Sequence, residues 1–310
     1  MKLKTCISKF LYSIPFVEDV YLSCLLFFIP NINKDDNKRH LRVRVLKFYV
    51  HKLSEILKKM DFRHEILINK DEVLINLDGV FLNAKGTTNR YFKLVKGGNE
   101  GKDLHDFLYS KGITVNSMID LGANFGEISL YFALRNPQAK ILSIEASGYN
   151  FKILESNRNQ QYFDTSNVYL IHEAVSDFAG EVKISKGLGA ENSIILYGQD
   201  NFELVKTDTL KSLVDRYGLK QIDFLKIDIE GAEPLLFESL SLLSDNIRAI
   251  HLEVGDKRDH RDYLQILEFL FSSQFKCYTM EDEEIVGLDI LTTMVLNNKI
   301  LNLWFIKNKN

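Results

Sequence analysis

The chain predicts an open α/β fold on a doubly wound, mostly parallel sheet, and three observations carry that expectation. From residue 117 onward, apolar runs of strand length alternate with runs of helical spacing, the pattern of repeated strand–helix–strand units. Two of these runs, Met118 to Gly126 (MIDLGANFG) and Asp223 to Glu233 (DFLKIDIEGAE), carry acids and a glycine where the strand should end and lead into helix-like sequence. Three late apolar runs allow an antiparallel edge hairpin on the otherwise parallel sheet. In such sheets ligands bind beyond the carboxyl ends of the strands, where strand order reverses. The two acid-glycine segments therefore read as two sides of one cleft.

The elements follow in order. Residues 1–60 read as a helical N-terminal region: Leu46, Tyr49, Val50, Leu53, Ile56 and Leu57 keep helical apolar spacing. Residues 61–310 read as the main domain, opening with short strands over residues 65–95 and a turn at Asp78-Gly79. Gly97, Gly98 and Gly101 mark a loop before a short helix at Lys102 to Lys111. The core sheet begins at Ser117 to Asp120, followed by a helix at Glu127 to Arg135 that Pro137 stops. Ile141 to Glu145 is the next strand, Tyr149 to Gln160 its helix, and Val168 to His172 the third strand. Glu181 to Ser185 and Ser193 to Tyr197 suggest a hairpin insertion, and Thr207 to Tyr217 a helix closed by Gly218. Strands at Ile222 to Asp228 and Arg248 to Val254 have helices at Pro234 to Leu243 and Arg258 to Ser273. Phe275 to Met280, Thr292 to Leu296 and Leu303 to Ile306 are the late strands. There is no internal repeat and no low-complexity segment.

Composition narrows the classes of partner. A net charge of −3 offers none of the basic surplus that a nucleic-acid partner requires. The three cysteines, Cys6, Cys24 and Cys277, are odd in number and far apart. They make neither a metal spacing nor a disulfide framework, as expected of a protein in a reducing, cytoplasmic compartment. The apolar run Val20 to Ile29 is too short to span a bilayer. Glu18 and Asp19 precede it and no small-residue cleavage site follows, so neither a transmembrane segment nor a signal peptide is expected. The basic run Lys38 to Arg44 leaves peripheral membrane or protein contact as a role for residues 1–60, beside simple packing on the main domain.

The residue types in the two segments point to specific chemistry. Gly122 and Gly126 flank a tight strand-to-helix turn in which a missing Cβ lets backbone approach a ligand. Their spacing is G-x-x-x-G, without the middle glycine that admits a pyrophosphate, which disfavours a nicotinamide-dependent oxidoreductase. Asp120 can accept hydrogen bonds from an ammonium, directly or through water, and Asn124 offers both donor and acceptor. Glu145 ends the next strand, 23 positions after Gly122, where a carboxylate can take both hydroxyls of a ribose. Along the second segment Phe224, Lys226 and Asp228 share one strand face. A lysine in a central strand needs a partner, and Asp228, His251 and Glu253 are available. Glu233 fits helix capping and function equally well.

The ordered set DLGANFG, SIEAS, HEAVSD, FLKIDIEGAE and HLEVG resembles the FkbM family of S-adenosylmethionine-dependent methyltransferases over roughly residues 65–310, with KIDIEGAE its most specific part. The resemblance implies a class I methyltransferase fold, Rossmann-like, with a seven-stranded sheet. It also implies S-adenosylmethionine as cofactor and methyl transfer to a hydroxyl of a sugar, glycan or related small molecule. By position, Asp120, Gly122, Asn124 and Gly126 match the family's cofactor loop, Glu145 with Ala146 the ribose segment, and Glu173 and Ala174, within His172 to Val175, the adenine side. Lys226, Asp228, Glu230 and Glu233 match its second motif. Ala146-Ser147 stands where the family often has a proline.

A hydroxyl acceptor needs a base, for which Asp228 and Glu230 rank above His251, and Lys226 completes the catalytic set. No metal is expected. A nucleic-acid acceptor is disfavoured because only four prolines occur and none forms the Asn/Asp-Pro-Pro-aromatic motif that holds a flipped base. A non-catalytic binding protein on the same fold is the remaining alternative, against which the intact acids speak.

Overall fold

The computed structural model describes residues 65–69, 72–83, 99–185, 202–255, 259–298 and 300–308. The helical region expected over residues 1–60, and its boundary, lie outside them. The chain divides into two compact units, Met1–Asn99 and Glu100–Asn310. Among the described residues no helix is long and apolar enough to cross a membrane.

The first unit holds an antiparallel meander of β1 (Glu65–Asn69), β2 (Glu72–Leu77) and β3 (Val80–Asn83). Asp78 and Gly79 both take positive φ between β2 and β3, as a tight two-residue hairpin favours. The Asn76 side chain accepts from the Gly79 N–H at 2.8 Å.

The second unit is the alternating α/β body. It runs α1 (Glu100–Ser110), β4 (Ser117–Leu121), α2 (Glu127–Arg135), β5 (Lys140–Ile144), α3 (Gly148–Asn159), β6 (Val168–Ile171), β7 (Ala174–Ser176), β8 (Gly180–Ser185) and β9 (Phe202–Thr209). It continues through α4 (Leu210–Arg216), β10 (Phe224–Ile227), α5 (Phe237–Leu243), β11 (Ala249–Val254), α6 (Leu264–Ser272), β12 (Phe275–Tyr278), β13 (Glu284–Ile285), α7 (Leu288–Asn297) and β14 (Leu301–Lys307). The main sheet has the order β13-β12-β14-β11-β10-β4-β5-β6. β11, β10, β4, β5 and β6 are mutually parallel. Both faces of these strands are covered, so β4 and β10 are buried at every position.

One face packs Ile119, Leu121, Leu225, Ile227, Ile250 and Leu252 against residues of α4 to α7. The other packs Met118, Ile141, Phe224, Ala249 and Trp304 against Leu104 and Leu108 of α1 and Ile128 and Phe132 of α2. The chain winds outward from β4 through β5 to β6 and in the opposite sense from β10 to β11, which makes the gap between β4 and β10 the switch point.

Five details depart from the sequence expectation. The sheet has eight strands rather than seven, the eighth being the two-residue β13 that closes the edge hairpin with β12. The antiparallel strand β14 is interior, between β11 and β12, because its apolar run Leu303, Trp304 and Phe305 has burial to gain on both faces. Thr292 to Leu296, expected as a strand, lies in α7: Leu291 and Val295, one helical turn apart, supply the core stripe and override β-branched propensity. Thr207 to Thr209 belongs to β9, and the helix starts only at Leu210, since the Thr209 hydroxyl caps it by accepting from the Ser212 N–H at 3.1 Å. β9 pairs with β8, whereas the Ser193 to Tyr197 arm expected for that hairpin lies outside the described residues.

Candidate active site at the switch point

The loop leaving β4 is held from several sides. Gly122 and Ala123 N–H groups donate to the Ile144 carbonyl, the Asn124 N–H to Glu145 Oε2 at 2.8 Å, and Asn157 Nδ2 to the Phe125 carbonyl at 2.8 Å. Gly122 has φ +75°, and a Cβ there would stand 1.8 Å from the Asp228 carbonyl oxygen. Only glycine therefore lets the β4 loop close on the exit of β10. Gly126, at φ +86°, faces Leu154 of α3, which a Cβ would meet at 2.4 Å. The two glycines named from the sequence thus serve backbone approach to protein first.

Lys226 joins the two segments. It is 1% exposed. Its Nζ lies 3.1 Å from Asp228 Oδ2, 3.6 Å from Asp120 Oδ1 and 3.2 Å from the Gly122 carbonyl. The reason is register: β10 pairs with β4 so that Lys226 lies beside Asp120, and with β11 so that it lies beside His251. Asp120 is fully buried, its Oδ2 accepting from Ser129 Oγ at 2.6 Å, and Ser129 in turn shares a bond with Ser143. Sequence reading missed both serines; their only signal is a small polar residue on the inward side of an otherwise apolar helix and strand.

Past β10 the chain turns sharply, with Glu230 at φ +55° and Gly231 at φ +97°. Glu233, 1% exposed, clasps this turn. Its carboxylate accepts from the Ile229 N–H at 2.9 Å, the Gly231 N–H at 2.9 Å and Tyr263 Oη at 2.8 Å. Burial raises the pKa of Glu233, and these bonds oppose the rise. Tyr263 gives no local signal in the sequence, since its partner is 30 residues away.

On the other side of β4, Glu145 is buried, and desolvation raises its pKa against the bonds from the Ser147 and Asn124 N–H groups. Oε1 takes the Ser147 N–H at 2.8 Å, and Oε2 takes the single N–H of Asn124. Ala146 accepts at its carbonyl from the His172 ring, which stacks on Phe151. Glu173 is turned away: Arg216 Nη1 bridges both its oxygens at 2.8 and 2.9 Å, and Lys206 reaches it at 2.8 Å. Arg216 also pairs with Asp208. Ala174 is in β7, paired with Thr207. The Glu173 carboxylate is therefore already engaged within the protein.

His251 lies in the same cross-sheet row as Lys226, between it and Trp304. It is buried, edge-on to the Trp304 ring at 4.9 Å, and burial pulls it down to about 4, so the imidazole is neutral at physiological pH. Glu253, two residues on, is half-buried, and burial together with Asp228 pushes it up to about 8.

The donor set fits the cofactor the sequence implies. Asn124 Oδ1 is a buried acceptor without a hydrogen bond among the described residues, as an ammonium would require, while Asp120 Oδ1, also without a hydrogen bond, faces Lys226 Nζ at 3.6 Å. Glu145 keeps unused acceptor capacity for a diol. Among the described residues no cluster of three or more His, Cys, Asp or Glu side chains is placed to hold a metal ion.

A family model described as the methyltransferase FkbM domain matches residues 120–277. Over 149 residues the chain is 30% identical to the methyltransferase sdnD of Sordaria araneosa, covering 37% of this chain and 57% of that one. Over 182 residues it is 28% identical to the AMB antimetabolite synthetase AmbE of Pseudomonas aeruginosa, covering 46% of this chain and 8% of that one. The chain thus spans 57% and 8% of the lengths of these two relatives. Among solved structures, a methyltransferase FkbM from Methylobacillus flagellatus KT matches at TM-score 0.41 and 15% identity, covering 62% of this chain and 43% of that one. The plantazolicin methyltransferase BpumL in complex with SAH matches at TM-score 0.38 and 12% identity, covering 67% and 82%.

Proposed function

From the premise that this chain belongs to the FkbM methyltransferase domain family, we propose that it transfers the methyl group of S-adenosylmethionine to a hydroxyl of a sugar, a glycan or a related small molecule. The observation that carries the reading is the meeting of the β4 loop and the β10 exit, tied by Lys226 and flanked by Glu145. S-adenosylmethionine supplies an electrophilic methyl on a sulfonium, and the remaining work falls to the residues of the chain.

In this reading Asn124 Oδ1, with Asp120 behind it through water, accepts from the cofactor ammonium. Glu145 takes the ribose hydroxyls. The backbone at Ala146, Glu173 and Ala174 borders the adenine. Asp228 and Glu230 stand at the acceptor side, held there by Lys226 and by the Glu233 clasp respectively. Positioning is the main contribution expected, because an in-line displacement gains ~7–11 kcal/mol when both partners are held in attack geometry. A carboxylate that receives the hydroxyl proton adds roughly 100-fold to 10,000-fold in rate.

Calorimetry on metal-stripped protein tests the cofactor assignment: S-adenosylmethionine and its demethylated product should both bind without added metal. Asp228→Asn and Glu230→Gln test the acceptor side in single-turnover methylation of a glycan and sugar panel with labelled cofactor. One variant should lose rate while its cofactor dissociation constant stays within a few fold. If a nicotinamide dinucleotide binds more tightly than S-adenosylmethionine, the assignment is wrong.

A further inference from the structure

Glu253 has no hydrogen bond or ion pair among the described residues, although it is half-buried at the end of a central strand. The ladder between β10 and β11 ends at Ile227 with Leu252, and the carboxyls that follow on each strand, Asp228 and Glu253, act on one another through charge. On its other side Glu253 pairs with Asn302 of β14, which brings no charge. Among the described residues the charged groups that face it are Asp228, Glu230 and Glu100, all acidic, and Lys226; His251 on its own strand is neutral. Lys226 is already bonded to Asp228. Two adjacent carboxyl groups therefore have different surroundings, one with a cation at 3.1 Å and one with neighbouring acids. Such a split is what separates an ionised from a protonated carboxyl at one pH.

We propose that Glu253 is a sulfonium-linked titrating group: it stands protonated in the protein without cofactor, releases its proton to solvent when S-adenosylmethionine binds, and then stands as a carboxylate able to receive the acceptor's proton. This rests on the cofactor assignment above and goes beyond it. The physical cause is charge. S-adenosylmethionine and S-adenosylhomocysteine share the ammonium, carboxylate, ribose and adenine, and differ by the methyl group on sulfur and the positive charge that comes with it. A cation brought to the strand ends favours the ionised form of a carboxyl raised by burial and by neighbouring acids. The product, with a neutral sulfur, lets the proton return. A second proton acceptor beside Asp228 is thereby present when a methyl group is available and absent when it has been spent.

The test measures protons instead of turnover. Binding of each ligand is followed by titration calorimetry at pH 7.5 in buffers of different ionisation enthalpy, which yields the protons released. Burial and the neighbouring acids raise this carboxyl, so a share of the protein carries its proton at pH 7.5, and S-adenosylmethionine should release more protons than S-adenosylhomocysteine, by a fraction of one proton per site. Glu253→Gln should abolish that difference while S-adenosylhomocysteine affinity stays within about threefold. Glu253→Asp, retained as a carboxyl should the amide variant fail to fold, should keep the difference with its maximum at a shifted pH. Equal proton release by the two ligands in the wild type, or a difference that persists in Glu253→Gln, overturns the proposal. Failure of either ligand to bind overturns the cofactor assignment instead.

Discussion

Replacing Lys226 by methionine should be the most damaging single change near the site, and the structure supplies the size of the effect. The ammonium is 1% exposed, with Asp228 Oδ2 at 3.1 Å and Asp120 Oδ1 at 3.6 Å. At an effective dielectric of about 20 each attraction is ~5 kcal/mol, most of which is offset by the cost of taking three charges out of water. Removal of the lysine leaves that cost without the attraction, above all at Asp120, which is fully buried. Breaking a buried pair from one side costs about 3–5 kcal/mol. For a folded unit of this size that corresponds to a fall in Tm of roughly 6–20 °C. Methionine keeps the length and apolar stem, so the loss reports charge and not a cavity. Urea denaturation at pH 7, followed by circular dichroism, measures it. The double variant Asp120→Asn/Lys226→Met should be more stable than Lys226→Met alone, because the uncompensated carboxylate is gone while the Ser129 bond can remain. A Lys226→Met loss under about 1 kcal/mol, well below the buried-pair range, or no recovery in the double variant, would refute the triad as the link between the two loops.

Glu145→Gln should weaken S-adenosylmethionine and S-adenosylhomocysteine by the same factor, roughly 10- to 150-fold for the loss of ~1.5–3 kcal/mol, because both ligands carry the ribose; unequal losses in calorimetry would place Glu145 elsewhere. Tyr263→Phe should cost about 1–3 kcal/mol and speed hydrogen exchange at the Ile229 and Gly231 amides, since it removes one of the bonds that hold the Glu233 clasp. His251 titrates near 4 when folded and at its ordinary value when unfolded. Its contribution to stability is thus present above pH 6.5 and lost as pH falls toward 4, by up to about 3 kcal/mol. Stability curves of the wild type and His251→Leu should therefore converge or cross with falling pH, and parallel curves would contradict the assignment of a buried neutral imidazole.

Much of the sheet was legible without coordinates. The runs at Ser117 to Asp120, Ile141 to Glu145, Val168 to His172, Ile222 to Asp228 and Arg248 to Val254 each overlap one of the five parallel strands. The reason is that a strand buried on both faces is a continuous apolar run whatever it pairs with. Failures cluster where two periodicities compete, as at Thr292 to Leu296, whose β-branched residues suit a strand while Leu291 and Val295 suit a helix face. The placement of β14 inside the sheet was equally invisible, because no local pattern says which neighbour a strand will choose.

By itself the sequence determined which acids reach the carboxyl ends of the strands: Asp120 beside Gly122 on one segment, Glu145 on the next, Asp228 and Glu230 on the third, and Glu253 on the fourth. Strand direction and a two-residue period are local properties, so they can be read in place. Tertiary structure decided what each side chain does there. It put one ammonium between Asp120 and Asp228, made Gly122 obligatory by setting a carbonyl against it, turned Glu233 into a clasp closed by Tyr263, and drew Glu173 away to Arg216. It also left Glu253 among acids without a cation of its own. These outcomes depend on the register between strands about a hundred residues apart. That register is set by how the apolar faces interlock across the whole sheet, a property that no single stretch of the chain carries.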